Sequence, residues 1–294
     1  MPGGMSDETM LEPAIGVIGG SGLYEMEGIG EISELSLKTP FGDPSDKIIT
    51  GRIAGRKVCF LPRHGVGHRL LPHEINHRAN LWALRSLGVR WLVSVTAVGS
   101  LREELKPRDI VVPDQLIDRT GTGAKHTFFG NGIAAHVGFA DPYCYDLRQV
   151  LLKAARAVAP GTHDGGTYLC MNGPAFSTRA EAAMHRMMGA DLIGMTNAPE
   201  ARLAREAEIA AAALALVTDY DCWKDDEEAV EVDAVVANLH ANSALAKRIV
   251  RDVITLIPET PGSPAHRALA TAIFTPRESW PADTAKNLAP ILGG

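Results

Sequence analysis

Along the chain, short unbroken apolar runs alternate with stretches of helical periodicity. Residues 14–18, 47–53, 56–61, 91–98, 167–171, 191–193 and 209–217 read as strands, and 14–18 and 209–217 carry no polar side chain, as strands covered on both faces do. Helices are expected at 73–87, after Thr178, from near Pro199 and over 232–257. The first has Pro72 before it and Gly88 after it. Pro258-Glu-Thr-Pro-Gly-Ser-Pro264 breaks the chain before a short final helix and a tail. Strands alternating with helices predict an α/β fold with a mostly parallel sheet flanked by helices. A hairpin around Ala54-Gly55 makes that sheet mixed. No internal repeat or linker divides the chain, so residues 14–294 read as a single domain, with 1–13 as a disordered leader and Met5 as an alternative start. Residues 118–147 are loop-rich, with Gly121, Gly123, Gly130, Gly132 and Gly138, as functional loops or subunit contacts often are.

Composition narrows the class. At 294 residues, 46% hydrophobic and 22% charged, the chain has ample apolar material for a core without disulfides. A net charge of −6 without a basic run argues against nucleic acid as a partner. Cys59, Cys144, Cys170 and Cys222 are scattered and read as reduced thiols. Without a signal-peptide pattern or an apolar run of ~18 residues, a cytoplasmic location with no membrane partner is expected.

Candidate chemistry gathers where strands end. Asp219-Tyr220-Asp221-Cys222-Trp223 closes the apolar run 209–217 and delivers two carboxylates to the carboxyl edge of a sheet, where open α/β folds bind ligands. Their side chains share a face if the strand continues through both, and a loop beginning after Thr218 converges them equally well. A protonated carboxyl donates to a ring nitrogen and an ionised one accepts from an amine, which suits an adenine-like base. Alone, the pair also fits a helix cap and a solvated turn acid. Gly19-Gly20-Ser21-Gly22 offers backbone N–H groups and a hydroxyl to an anion, or is a plain tight turn. The dinucleotide fingerprint fails, since Glu25 and Tyr24 stand where it requires glycine. Arg63-His64 supplies a guanidinium fork matched to two phosphate oxygens and a second donor. Thr96-Ala97-Val98-Gly99-Ser100 and Ser177 add strand-end donors.

His73-Glu74-Ile75-Asn76-His77 matches H-E-x-x-H on an expected helix, a zinc-protease pattern. A catalytic zinc needs a third protein ligand. Asn80 and Ala83 occupy the downstream glycine and histidine positions of one such family, and Glu103 and Glu104 follow a strand-end turn rather than sit on a second helix. No metal site is assigned.

Taken in order, Ile18-Gly19-Gly20-Ser21-Gly22-Leu23, Thr39-Pro40-Phe41-Gly42-Asp43-Pro44-Ser45-Asp46, Arg63-His64-Gly65, Asn80-Leu-Trp-Ala-Leu84, Gly99-Ser100-Leu101-Arg102-Glu103-Glu104, Gly173-Pro174-Ala175-Phe176-Ser177-Thr178-Arg179-Ala180-Glu181 and Asp219–Trp223 resemble the 5′-methylthioadenosine phosphorylases, a branch of the trimeric purine nucleoside phosphorylases. The resemblance covers about residues 14–250. It implies a homotrimer that splits the N-glycosidic bond of 5′-methylthioadenosine with phosphate as co-substrate, without metal or organic cofactor. By the same resemblance Ser21, Arg63, His64, Thr96, Ala97, Ser177 and Thr196 hold phosphate, while Phe176 and Met195 lie against purine and ribose. Asp219 serves the purine N7 as catalytic acid, Asp221 reads the 6-amino group, and Val232, Val235 and the partner's His136 line the pocket for the 5′ substituent.

Three departures stand out. Ala175 replaces an arginine, Arg108 stands in place of a glycine between Pro107 and Asp109, and the tail from about 258 diverges. The alternatives are a phosphorylase for another 5′-modified nucleoside (a 5′-halogenated adenosine or methylthioinosine), a nucleosidase that uses water, and a non-catalytic nucleoside sensor.

Overall fold

The structure, a computed structural model, describes residues 11–20, 23, 28–121, 126–224 and 232–293, with the side chains of 232–236, 239 and 240 outside the description. The strands are β1 (Ala14–Gly19), β2 (Gly30–Leu35), β3 (Ile48–Ile53), β4 (Arg56–Pro62), β5 (Val89–Ser100), β6 (Ile110–Val112), β7 (Gln115–Asp118), β8 (His163–Asp164), β9 (Thr167–Cys170), β10 (Leu192–Gly194) and β11 (Ala210–Asp219). The helices are α1 (His77–Ser86), α2 (Tyr145–Val158), α3 (Arg179–Met187), α4 (Asn197–Glu206), α5 (Val232–Leu256), α6 (Ala282–Asn287) and α7 (Ala289–Leu292). The amphipathic helix α2 and strands β2, β6, β7 and β8 add to the elements expected from the pattern. The strand runs read from the sequence all appear, and the 48–62 hairpin is antiparallel as expected.

All strands join one mixed sheet, ordered β2-β3-β4-β1-β5-β10-β9-β7, with β11 on the other side of β5. The pairs β1·β4, β1·β5, β5·β11, β9·β10, β7·β9 and β6·β8 are parallel. Helices α2 and α5 cover one face, where Leu147, Leu151, Ile249 and Val253 meet Ile15, Val93 and Leu214. Helices α1, α4 and α7 cover the other, where Leu81, Leu84, Leu203 and Ile291 meet Ile18 and Leu92. Coverage on both faces explains why β11 reads Ala-Ala-Ala-Ala-Leu-Ala-Leu-Val. Alanine is a weak strand former, and packing between helical layers overrides that preference.

One irregularity places the site. β5 is flanked along one edge by β11, but its other edge pairs with β1 only as far as Ser94 and with β10 only from Gly99. Between them, Val95–Val98 face a gap in the sheet, and the chain segments leaving β4, β10 and β11 surround it.

One expectation needs correction. The helix expected at 73–87 begins at His77, because Asn76 caps it by accepting from Ala79 N at 3.1 Å, while Pro72–Glu74 is a separate 3₁₀ turn. Of the leader expected at 1–13, residues 1–10 lie outside the described residues, and Glu12 is tied to Arg52 at 2.7 Å. The divergent tail is packed in the core layer: Leu288 and Ile291 are buried, and Trp82 Nε1 donates to Asn287 O at 2.8 Å. Arg108 takes φ 76°, the left-handed conformation that explains the glycine of the resemblance, and its Nε donates to Asn238 Oδ1 at 3.0 Å.

Candidate functional site

Arg63 leaves the end of β4 and turns into the sheet gap, 3% exposed. Its Nη1 donates to Val95 O at 2.9 Å, which occupies part of the unpaired edge of β5. Its Nε and Nη2 donate to Glu200 Oε1 at 2.5 Å and Oε2 at 2.9 Å, and Nη2 also donates to Ser94 Oγ at 2.8 Å. The two-pronged edge expected to clasp phosphate is therefore committed to Glu200, because a carboxylate matches the same fork and both are buried. Burial works against an ionised Glu200, but the Arg63 charge and hydrogen bonds outweigh it and hold the carboxyl below its usual range.

His64 is fixed by a single hydrogen bond. Its Nδ1 lies 2.8 Å from Leu70 O, a group that can only accept, so Nδ1 carries the proton and neutral His64 presents Nε2 as an acceptor. Burial, then the charge of Arg63, pushes its pKa down to about 4, so the ring is neutral at ordinary pH. Thr96 is buried beside Ala97 on the open edge of β5. Thr196 is buried at the N-cap position of α4 with no capping bond from its side chain, leaving the hydroxyl for another partner. Ser21 lies outside the described residues.

At the other end of the gap, β11 shifts register between Val217 and Asp219, then turns. Asp221 takes φ 53°, and its N–H donates to Asp219 Oδ1 at 2.8 Å, an Asx turn that folds the second carboxyl back beside the first. Of the two routes left open by the sequence, the loop is the one used. Thr218 Oγ1 donates to Asp219 Oδ2 at 2.6 Å. Trp223 Nε1 donates to Ser100 O at 2.8 Å and carries the Arg186 guanidinium 3.7 Å from its ring centre, which pins the loop from behind. Both acids are raised, chiefly by burial. Asp221 reaches about 6, with a hydrogen bond from Ser177 opposing and the Asp219 charge adding. Asp221 Oδ2 is buried with no hydrogen-bond partner, an acceptor or donor position awaiting a ligand.

Ser177 stands with Asp221, and its carbonyl accepts from Cys222 Sγ at 3.1 Å; it joins none of the Arg63 contacts among the described residues. Thr178 and Glu181 form a capping box that starts α3 and fixes the loop carrying Phe176 and Ser177. Phe176 is 45% exposed, a large apolar face open to a flat partner. Met195 follows β10 and packs on Gly173, where an added Cβ would lie 2.4 Å from its sulfur. Beside Met195 and Asn172 opens a cavity of about 310 Å³ that reaches His73 and His77.

Gly99 matters for the acid pair. A Cβ there would meet Asp219 Oδ1 at 2.9 Å and Ile193 at 3.0 Å. Gly99→Ala is expected to displace Asp219 and lower kcat/KM by roughly 10²-fold, with the melting temperature nearly unchanged; kinetics together with a thermal melt check this.

Of the residues expected at the 5′ end, His136 is not brought to the acids within this chain. His136 is exposed and packs edge-on against Phe274, ring centres 5.2 Å apart, with no contact to Arg63 or the acids among the described residues. The backbones of Val232 and Val235 open α5, and their side chains lie outside the description. The H-E-x-x-H segment is split, with His73 in the 3₁₀ turn and His77 starting α1, so the two histidines do not share one helical face. Glu74 instead accepts from Leu71 N at 2.8 Å, and no metal-binding cluster of three ligands occurs among the described residues.

Sequence reasoning missed Glu200, Ser94, Asn197 and Tyr143. A signal existed for Glu200: Leu203, Ala204 and Ala207 lie three, four and seven residues on, which puts this acid on the buried face of its helix.

In this three-layer α/β fold, the buried Arg63 stands at one end of the β5 gap and the paired carboxyls of Asp219 and Asp221 at the other, and the matching family is one of enzymes that transfer a pentosyl group to phosphate. The chain belongs to the phosphorylase superfamily, which it matches over residues 14–255. It is 52% identical to the S-methyl-5′-thioadenosine phosphorylase of Geobacter sulfurreducens, over 96% of this chain and 99% of the relative. Identity to the Gloeobacter violaceus protein of the same name is 53%, over 95% and 94%. A solved methylthioadenosine phosphorylase from an antarctic soil metagenomic library has a TM-score of 0.90 at 49% identity, covering 95% of this chain and 99% of that one. The Schistosoma mansoni methylthioadenosine phosphorylase in complex with adenine has a TM-score of 0.77 at 34% identity, covering 95% and 98%.

Proposed function

We propose that the protein cleaves S-methyl-5′-thioadenosine with phosphate, giving adenine and 5-methylthioribose 1-phosphate. The observation that carries this is the unpartnered Asp221 oxygen beside Asp219 at one end of the β5 gap, with the Arg63 guanidinium at the other. A phosphate oxygen forms a bond to C1′ while the C1′–N9 bond breaks, and its electron pair passes to the purine. Asp219 supplies the proton that N7 then needs, held in place by Thr218. Asp221 accepts from the 6-amino group, with Ser177 steadying it. Phe176 packs on the base and Met195 on the ribose. Phosphate lies among Arg63, Thr96, Ala97, Thr196 and Ser21, and neutral His64 accepts from the hydroxyl of hydrogen phosphate. Charge is met by Arg63 and by proton transfer, so the reading calls for no metal or organic cofactor.

The same reading makes the enzyme a cytoplasmic homotrimer of purine salvage. Val232, Val235 and the exposed His136 of a neighbouring copy enclose the 5′ group. None of the described helices is long and apolar enough to cross a membrane.

Release of free base from methylthioadenosine, adenosine, methylthioinosine and inosine, each with and without phosphate, tests the reading. Methylthioadenosine is expected to be cleaved fastest, and only with phosphate. Equal rates without phosphate, yielding free methylthioribose, point to hydrolysis instead; binding without turnover points to a sensor. Activity is expected to survive chelators, and Glu74→Gln is expected to keep most of it; chelator-sensitive turnover with stoichiometric zinc would reverse that expectation.

A further inference from the structure

We propose that Glu200 is a positioning residue for the anion site, one that turns the Arg63 guanidinium so that a single Nη1 N–H, rather than its two-pronged edge, faces phosphate. The inference rests on the phosphorolysis reading above. A guanidinium has five N–H groups. Nε and Nη2 donate to Glu200, Nη2 also reaches Ser94 Oγ, and Nη1 donates to Val95 O. Among the described residues the second Nη1 hydrogen has no partner.

The network around Glu200 has a determined direction. Ser94 Oγ accepts from Arg63 Nη2 and from Asn197 Nδ2, both at 2.8 Å, so its own proton must go to Glu200 Oε2, 2.6 Å away. A hydroxyl has one donor and two acceptor positions, and all three are used. With the Ser94 proton committed to Glu200, Asn197 must present Nδ2 to Ser94 Oγ, which leaves its Oδ1 to accept from Tyr143 O–H at 2.5 Å. Every donor in the chain Tyr143–Asn197–Ser94 therefore points toward Glu200. Both Glu200 oxygens accept, the Arg63 charge favours the ionised carboxylate, and Arg63 is held in one orientation. His77 Nδ1, the remaining polar neighbour, is 3.9 Å from Oε1, too far to compete.

A buried ion pair of this kind is a weak source of stability, since desolvation offsets attraction. Its consequence lies in geometry and charge. Phosphate meets one aimed N–H of a neutralised pair instead of a bare cation with a free fork, so it is oriented for transfer without being held as a tight bidentate complex.

The test is initial-rate kinetics with each substrate varied separately. In Glu200→Gln the KM for phosphate is expected to rise at least about tenfold, while the KM for methylthioadenosine stays within about twofold. In an Arg63→Met background, adding Glu200→Gln is expected to change the phosphate KM no further, because the residue acts through Arg63. If Glu200→Gln shows no cooperative melt, Glu200→Asp takes its place: it keeps the charge, loses the reach, and should raise the phosphate KM in the same selective way. An unchanged phosphate KM, a parallel rise for both substrates, or an undiminished effect without Arg63 would overturn the assignment. A wild-type enzyme indifferent to phosphate would instead bring down the phosphorolysis reading itself.

Discussion

Replacing Asp219 with asparagine is expected to slow turnover of methylthioadenosine by roughly 10²–10⁴-fold, the usual worth of a positioned general acid. An amide has no proton to give to N7, yet its size preserves the turn, since Asp221 N–H still finds an acceptor in the side-chain oxygen. Selectivity is expected to move as well. The amide NH₂ can donate to N7 and O6 of a 6-oxopurine, so methylthioinosine should gain relative to methylthioadenosine. Unaltered turnover, with no relative gain for the inosine analogue, would remove Asp219 from the reaction. The acid pair also sets the pH response. Buried and adjacent, the two carboxyls titrate as one unit, and the Asp221 pKa is pushed up to about 6 by burial, with the neighbouring charge adding. The Asp219 shift is also upward, so it keeps its proton to higher pH than a free carboxyl and loses it above its raised pKa. The kcat/KM of the wild type, which reports the free enzyme, is therefore expected to fall on the alkaline side as Asp219 loses that proton.

The second large effect belongs to Arg63→Met. It removes the guanidinium but leaves Glu200 only 2% exposed with no counter-charge. Breaking a buried pair on one side costs roughly 3–5 kcal/mol, which lowers the melting temperature of a chain of this size by about 6–20 °C at roughly 2–4 °C per kcal/mol. Phosphate-dependent turnover should fall with it. The double change Arg63→Met with Glu200→Met is expected to recover most of the stability and none of the turnover. Thermal melts beside phosphate-saturation curves separate the two losses. Recovery of both together would mean that Arg63 serves only the fold.

The strands and the site's general location were legible because they depend on local pattern. Unbroken apolar runs give covered strands, and acids or arginines just past them give strand-end chemistry. Helix α1 started late because Asn76 captured the N-terminal N–H that the run from His73 seemed to continue. What Arg63, His64 and Ser177 touch was not legible, because it depends on what stands opposite each in space. Glu200 is 137 residues from Arg63 in sequence, so nothing local shows that the fork is already taken. Leu70 O decides which nitrogen of His64 is bare, and the Ser177 hydroxyl lies 3.8 Å from Met171 Sδ on the Asp221 side of the gap. Such partnerships are long-range facts, and residue type alone is silent about them.

The broken edge of β5 also acts as a measuring rod. Ser94 grips the arginine network, Thr96 and Ala97 lie on the open edge, and Gly99 gives room to the acids, all on one extended segment whose rise is fixed at about 3.3 Å per residue. In the proposed reading, the span from anion to base is thus set largely by backbone geometry. Substitutions in the acid-bearing turn can retune which base is accepted while the span stays the same. Adding or removing one residue between Ser94 and Gly99 would change that span and swap which face each side chain occupies, so drift in substrate choice is open to this fold while drift in reach is closed.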